Sequence, residues 1–476
     1  MVILFARELL TELAFVLPDI MVGGSFVLLA LMRLLIGNQR SSRLFPKLSV
    51  LIASVGFVAT LRYGPLAKEC QTTLFTYTCN LSCMKSILLG ACIVGLIIMN
   101  RFKAHRLLDS SVYPLAFGLI TSIMVCISAN SFLSLVIGLE IYSFSLCFLL
   151  LMDKETTELR KSAIRFILVS SIMTAVLLFG VSLYYTQFVC LSFHKIKLDT
   201  SLASAVGSIF VVSGLLFKVG VAPFHSWMID VYERASTPLI MFMDTVWKFF
   251  MVFIFAKVFK MLVAGEGGQY GLMLTVFSIT SMLIGGIMPI FQENIKRFIA
   301  YASVGHIGFV LSVFATASTM QPIAAALSYL ATYSIAAICF FLALMILEKG
   351  RRVKCFKDLS GLMARNTTLG FAVLLSMLAM VALPPFANFM AKVNIFKLLI
   401  ASGNYWLITA SIIYSVLSVF YVARSMRYMF MSPTEATSGF AEAGKGRGVI
   451  LLYIPMILLI FLYDNIVSLL SRVFAQ

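Results

Sequence analysis

Charge is scarce in this chain. Only 12% of its 476 residues are Asp, Glu, Lys or Arg, about half the share of a soluble globular protein. Acidic side chains are rarest, 20 against 37 basic ones, and there are just four histidines and three tryptophans. The nine cysteines include no C-x-x-C pair, so the usual spacing of zinc and iron–sulfur ligands is missing. None of the glycine patterns that cradle nucleotide phosphates occurs either. Residues 1–12 carry Arg7, Glu8 and Glu12 and run straight into an apolar stretch, which does not read as a cleavable signal peptide.

What fills the chain is hydrocarbon: 61% of the residues are hydrophobic and the mean hydropathy is +1.00. Apolar runs recur from near residue 13 to near residue 470, the composition of an all-α polytopic membrane protein surrounded by lipid. A net charge of +17 in a soluble protein would suggest nucleic acid. Here no RNA- or DNA-binding motif accompanies it, no nucleic-acid partner is expected, and basic loops that orient the spans account for the charge. Cys70, Cys79 and Cys83 fall in one loop, a grouping that admits a disulfide without establishing one.

A bilayer core needs about 20 apolar residues per helix. Breaks at charged, Gly, Pro and Asn stretches give fourteen spans: 13–36, 46–63, 84–100, 111–128, 131–152, 162–186, 202–222, 237–260, 270–291, 297–315, 322–347, 367–399, 405–430 and 449–470. The twelfth is long and contains Pro384-Pro385, so it reads as a broken helix. Most Lys and Arg lie in loops after odd-numbered spans, including "EKGRRVKCFKDL" at 348–359. The positive-inside rule then puts both termini on the opposite side, the intermembrane space or periplasm. No connection is long enough for a nucleotide or flavin domain.

The few charges inside spans are the informative ones, because ionisable groups at membrane depth are costly and tend to mark a transport path. They are Glu140 in the fifth span, Lys218 in the seventh, Lys248 in the eighth, His306 in the tenth and Lys392 in the twelfth. His225 follows the seventh-span break. Plainer readings exist for some. Lys397 fits a side chain snorkelling to the surface, His306 alone fits a hydrogen-bonded core histidine, and Asp244, four residues before Lys248, fits a local ion pair. One pair does not account for the remaining lysines.

In "SGLLFKVGVAPFHSW" (213–227), Gly220 and Pro223 loosen the helix beside Lys218. Freed carbonyls at membrane depth persist only where protein or trapped water satisfies them. An amine beside such a break finds acceptors, and a carboxylate moving toward or away from it changes how firmly its proton is held. Glu140 and Lys218 have the makings of such a proton-loading pair. Pro384, Pro385 and Lys392 repeat the ingredients five spans later, and an odd offset makes a five-helix repeat inverted in the membrane. Lys218 precedes its proline whereas Lys392 follows its pair, so the two copies do not align residue for residue.

"FKVGVAPFHSWMIDVY" followed by "STP", "IKRFIAYASVGHIGF" at 295–309 and "GLEIYS" at 138–143 together resemble the antiporter-like subunits of complex I, most of all the subunit 2 (chain N) branch. The resemblance spans the fourth to thirteenth segments. It implies about fourteen transmembrane helices, with three N-terminal helices (1–110), inverted five-helix repeats at 111–260 and 261–430 whose helices 7 and 12 are broken, and a C-terminal loop and helix (431–476). It also implies a polar axis across the membrane centre. Glu140 and Lys218 would be its control pair, Lys248 and His306 its continuation and Lys392 its exit-side group, with His225 and Asp244 secondary.

The function implied is proton translocation in a respiratory NADH:ubiquinone reductase. This chain would hold no cofactor of its own, while NADH, FMN, iron–sulfur clusters and ubiquinone serve in other subunits. The partners implied are other membrane-arm subunits, especially subunit 4 and the small subunit 4L. Departures from the family pattern are Ile229 for a usual proline, Glu233-Arg234 in a usual glycine region, and Ala387-Asn388 after Pro385. Abundant Phe, Tyr and Cys with three Trp fit an organelle-encoded chain of the mitochondrial inner membrane, with the bacterial plasma membrane as the alternative. A subunit of a multi-subunit cation/proton antiporter shares these motifs and is the alternative function. A purely structural membrane scaffold is a third reading.

Overall fold

Eleven helices among the described residues are long and apolar enough to cross a bilayer, from Val16–Leu35 to Tyr405–Phe430. Val112–Ser128 and Thr367–Met380 are shorter apolar helices. The computed structural model describes residues 2–35, 38–64, 70–102, 110–152, 157–193, 202–263, 268–316, 321–350, 353–431 and 453–475. Many large apolar side chains point outward, such as Leu168, Ile172 and Phe420, each at least 60% exposed. In a polytopic chain these are the lipid-facing surface.

The chain divides into two compact units, residues 1–215 with 254–266 and residues 216–253 with 267–476. The first unit runs through α1 (Val2–Leu35), α2 (Asn38–Tyr63), a short hairpin of β1 (Cys70–Gln71) and β2 (Thr76–Tyr77), α3 (Cys79–Phe102), α4 (Val112–Ser128), α5 (Phe132–Met152), α6 (Thr157–Phe188) and most of α7 (Leu202–Val219). Consecutive helices pack side by side, α1 also against α4. The loop with the three cysteines is this hairpin running into α3. Cys79 and Cys83 are free thiols on the first turns of α3, and the side chain of Cys70 lies outside the described residues.

The second unit holds α8 (Ser226–Arg234), α9 (Thr237–Phe242), the start of α10 (Lys248–Val263), α11 (Gly268–Phe291), α12 (Ile295–Ala315), α13 (Gln321–Gly350), α14 (Leu362–Arg365), α15 (Thr367–Met380), α16 (Ala387–Ser402), α17 (Tyr405–Met431) and α18 (Tyr453–Ala475). Between α9 and α10 the chain makes a π-helical turn, Met243–Trp247. Such widened turns insert one extra residue and often mark functional sites. The spans Thr237–Met261 and Ile295–Ala315 are 94% and 89% buried, far more than Val16–Leu35 at 22%. Polar side chains on those two helices are therefore wrapped by protein rather than lipid.

Both proline sites interrupt a helix within this unit. After α7, Gly220 takes φ +87° and the Val221 amide donates back five residues to Leu216 O, the cap in which a left-handed residue ends a helix. The Ala222 amide, released from the ladder, finds Ser281 Oγ at 3.0 Å. After α15, Ala382 takes φ +64° and the Leu383 amide donates back five residues to Leu378 O. The peptides Ala222–Pro223 and Pro384–Pro385 are both cis. The two turns thus share one geometry despite their different sequences.

Glycine is favoured at the first turn for two reasons. Left-handed backbone is unfavourable for a residue with a Cβ, by about 1–2 kcal/mol, and a Cβ on Gly220 would stand 3.1 Å from Met228 Sδ. Gly220→Ala is expected to lower the thermal unfolding midpoint of the detergent-solubilised protein by a few degrees. An unchanged midpoint would show that this turn relaxes freely.

Candidate functional site

The second unit gathers most of the charged candidates around the π-turn. Asp244, fully buried, accepts from Lys248 Nζ at 2.5 Å, Ser303 Oγ at 2.5 Å and Tyr333 Oη at 2.9 Å, with Tyr232 Oη at 3.4 Å. A carboxylate has about four acceptor positions, and here donors from α8, α10, α12 and α13 converge on them. The ammonium of Lys248 also lies 5.9 Å from the Tyr232 ring centre. The local pair expected between Asp244 and Lys248 is present, but it is the hub of a network crossing four helices.

His306 sits one ring away. Its imidazole centre is 4.6 Å from that of Tyr333, the donor to Asp244, and 5.8 Å from that of Tyr414. Nδ1 shares a hydrogen bond of 2.8 Å with Tyr329 Oη, and buried Nε2 has no hydrogen-bond partner among the described residues. An imidazole with one engaged and one open nitrogen is suited to receive a proton on one side and release it on the other.

Lys392 closes the line. Its buried ammonium lies 5.9 Å from the ring centres of both Phe309 and Tyr414 and donates to Val381 O at 3.1 Å. Val381 is the residue at which α15 stops. Lys218 lies in the last turn of α7, 1% exposed, with its ammonium 6.0 Å from the Phe217 ring centre. Although the two lysines lie on opposite sides of their prolines in sequence, each is associated with the carboxyl end of a half-helix. That end carries roughly half a negative charge. The side chain of Lys392 reaches back across its turn to Val381 O.

Glu140 belongs to the first unit, where Thr174 Oγ1 donates to its Oε1 at 2.5 Å and Ser170 continues from Thr174 to Ser143. His225 begins α8, half-buried, with its ring centre 6.2 Å from that of Tyr301. Among the described contacts it has no bond to the Asp244 cluster. Lys397 is exposed. Ala387 and Asn388, the departures after Pro385, open α16, and Asn388 is 2% exposed.

Sequence reasoning missed the neutral partners: Tyr232, Ser303, Tyr329, Tyr333 and Tyr414. The available signal was "SYLATYS" at 328–334, which places Tyr329, Thr332 and Tyr333 three and four residues apart on α13. It also missed two cationic anchors of the first unit. Lys85 pairs with Asp19 at 2.6 Å, and Lys257 donates to Ile127 O at 2.7 Å and Ala129 O at 2.6 Å, capping the end of α4.

Comparison with known proteins places this arrangement. The family model for NADH:quinone oxidoreductase/Mrp antiporter transmembrane subunits matches residues 129–418, a stretch that holds every candidate above except those in the N-terminal helices. The chain belongs to that family. Its relatives include NADH-quinone oxidoreductase subunit N of Paramagnetospirillum magneticum, 30% identical over 441 residues that cover 89% of this chain and 90% of the relative. Two solved structures share the fold. A chain of respiratory complex I from Thermus thermophilus with bound aureothin superposes with a TM-score of 0.76 at 20% identity, covering 95% of this chain and 99% of that one. A chain of the Mrp complex from Dietzia sp. DQ12-45-1b gives 0.84 at 15% identity, covering 97% of both. Like the rest of the family, this chain is a multi-pass membrane protein.

Proposed function

We propose that this chain is a proton-translocating membrane-arm subunit of a respiratory NADH:quinone oxidoreductase. The observation that carries the reading is the buried line Lys248–Asp244–Tyr333–His306–Tyr414–Lys392, of which Asp244, Lys248 and His306 lie on the two most enclosed spans. Charges at that depth are maintained at a cost of several kcal/mol, and one local ion pair would not need a histidine and a second lysine in line with it. The relationship to subunit N chains over nearly the whole length supports the same conclusion.

In this reading Glu140 and Lys218 form the control pair, Lys248 and His306 carry the proton on, and Lys392 delivers it to the exit side. Quinone reduction elsewhere in the assembly changes the charge at one end of the line, and each proton transfer resets the next. NADH, FMN, iron–sulfur clusters and ubiquinone act in other subunits, so the chain serves a translocase without redox chemistry of its own. Its neighbours are the other membrane-arm subunits, subunit 4 and subunit 4L first among them. Fourteen crossings, divided as 1–110, 111–260, 261–430 and 431–476, with inverted repeats and broken seventh and twelfth helices, put both termini outside the basic compartment. The composition favours the mitochondrial inner membrane, whereas the bacterial relatives favour the bacterial plasma membrane.

Lys218→Ala is expected to leave the complex assembled and to slow NADH-driven proton pumping about tenfold or more, in line with the loss of a positioned proton carrier. Acidification by reconstituted vesicles, normalised to NADH oxidised, checks it. Normal pumping by the assembled variant removes Lys218 from the path. The second reading, a cation/proton antiporter subunit, draws on the likeness to the Mrp chain. Purification of the native assembly separates the two, since flavin and iron–sulfur companions belong to the first and small membrane proteins alone to the second.

A further inference from the structure

The two lysines at the ends of the buried line differ in what stands four residues before them. Before Lys248 it is Asp244, a carboxylate at 2.5 Å. Before Lys392 it is Asn388, an uncharged amide. Positions four apart share one face of a helix, so both residues have the same opportunity to meet their lysine. Asn388 uses its side chain otherwise. Its Nδ2 donates to Ala379 O at 3.1 Å and Met380 O at 3.2 Å, and its Oδ1 accepts from Thr332 Oγ1 at 2.8 Å. Both lie in the last turn of α15, where carbonyls run out of helical donors, and Ala379 O also accepts from the Ala382 amide at 3.1 Å. The next one, Val381 O, is taken by Lys392. Three successive carbonyls are therefore shared between one amide and one ammonium.

We infer that Asn388 is the positioning residue for Lys392. It caps the Ala379 and Met380 carbonyls, restricts the ammonium to Val381 O, and keeps a carboxylate out of the place that Asp244 occupies beside Lys248. The inference rests on the reading of Lys392 as the exit-side carrier and adds what makes that lysine able to let go. An ammonium held by one carbonyl and two ring faces has no counter-charge beside it, unlike one bound to a buried carboxylate. The titratable groups contributed by the surrounding helices are His306 on α12, Tyr329 on α13, Tyr414 on α17 and Tyr463 on α18, the last through Asn394 at 2.8 Å. Among the described residues no carboxylate lies within ion-pair distance of Lys392.

The test compares Asn388→Asp, which is nearly isosteric, with Asn388→Leu and Lys392→Ala in the intact complex reconstituted into vesicles. Asn388→Asp recreates the Asp244–Lys248 arrangement at the exit. It is expected to cut protons pumped per NADH about tenfold and to move the alkaline limb of the pumping profile upward by about one pH unit, the effect of an opposite charge at close range. Asn388→Leu removes the amide's bonds to the Ala379 and Met380 carbonyls without adding charge, and a two- to threefold loss with an unmoved profile is expected. Equal losses in both variants with unmoved profiles, or wild-type pumping by assembled Asn388→Asp, would overturn the assignment. If Lys392→Ala itself pumps normally, the failure lies instead with the underlying reading of Lys392.

Discussion

Asp244→Leu is expected to be the most damaging single change in the interior of the second unit. It strands the ammonium of Lys248, 3% exposed, and leaves the hydroxyls of Ser303 and Tyr333 without their acceptor. Removing one member of a buried ion pair costs about 3–5 kcal/mol, because the surviving charge is uncompensated, and the lost hydroxyl bonds add to that. The yield of intact complex from membranes should fall sharply. Replacing both members, Asp244→Leu with Lys248→Met, removes the stranded charge and should recover much of the yield, since apolar groups of similar size often substitute for a buried pair without loss. Pumping should stay absent in the double variant. Full assembly of the single variant would mean that Lys248 finds water or another acceptor, and the hub would then be dispensable to the fold.

Lys392→Met should give the opposite pattern. Among the described residues this lysine makes one hydrogen bond, to Val381 O, and a methionine of similar length fills its place between Phe309 and Tyr414. Losing the donor leaves one carbonyl without its partner, about 1–3 kcal/mol, which a large membrane assembly tolerates. Proton transfer through the chain should nevertheless drop about a hundredfold, the usual scale for deleting a proton-transferring group. The measurement is vesicle acidification beside NADH oxidation, with assembly checked in parallel. Pumping retained at full stoichiometry in intact complex would exclude Lys392 from the route. The contrast between the two variants separates a group that maintains the fold from one that moves charge.

Much of this was legible in the sequence because hydrocarbon leaves a chain few options. Apolar length made the all-helical, multi-pass architecture readable, with eleven of the fourteen expected spans long and apolar enough among the described residues, and Gly220 with Pro223 and Pro384-Pro385 marked places where helices end. The lysines stood out for the cost of placing them there. Three features were hidden. The π-turn at Met243–Trp247 has no local sequence signature, and the partners that meet Asp244 there, Ser303 and Tyr333, are 59 and 89 positions away. The hydroxyl partners were invisible because Ser, Thr and Tyr are common in apolar helices and usually bond their own backbone. The Lys85–Asp19 pair joins residues 66 positions apart, and Lys257 reaches carbonyls 128 and 130 positions away, separations at which helical spacing carries no information.

The shared turn geometry has one further implication. What steadies Lys392 is partly the blunt end of a helix, a fixture made of peptide groups and therefore common to every amino acid. Residue-by-residue replacement leaves that fixture in place and will under-report it. Only edits that shift the interruption along the chain, moving the Pro384-Pro385 pair by a position, would reveal how much of the grip on this amine is written in the main chain.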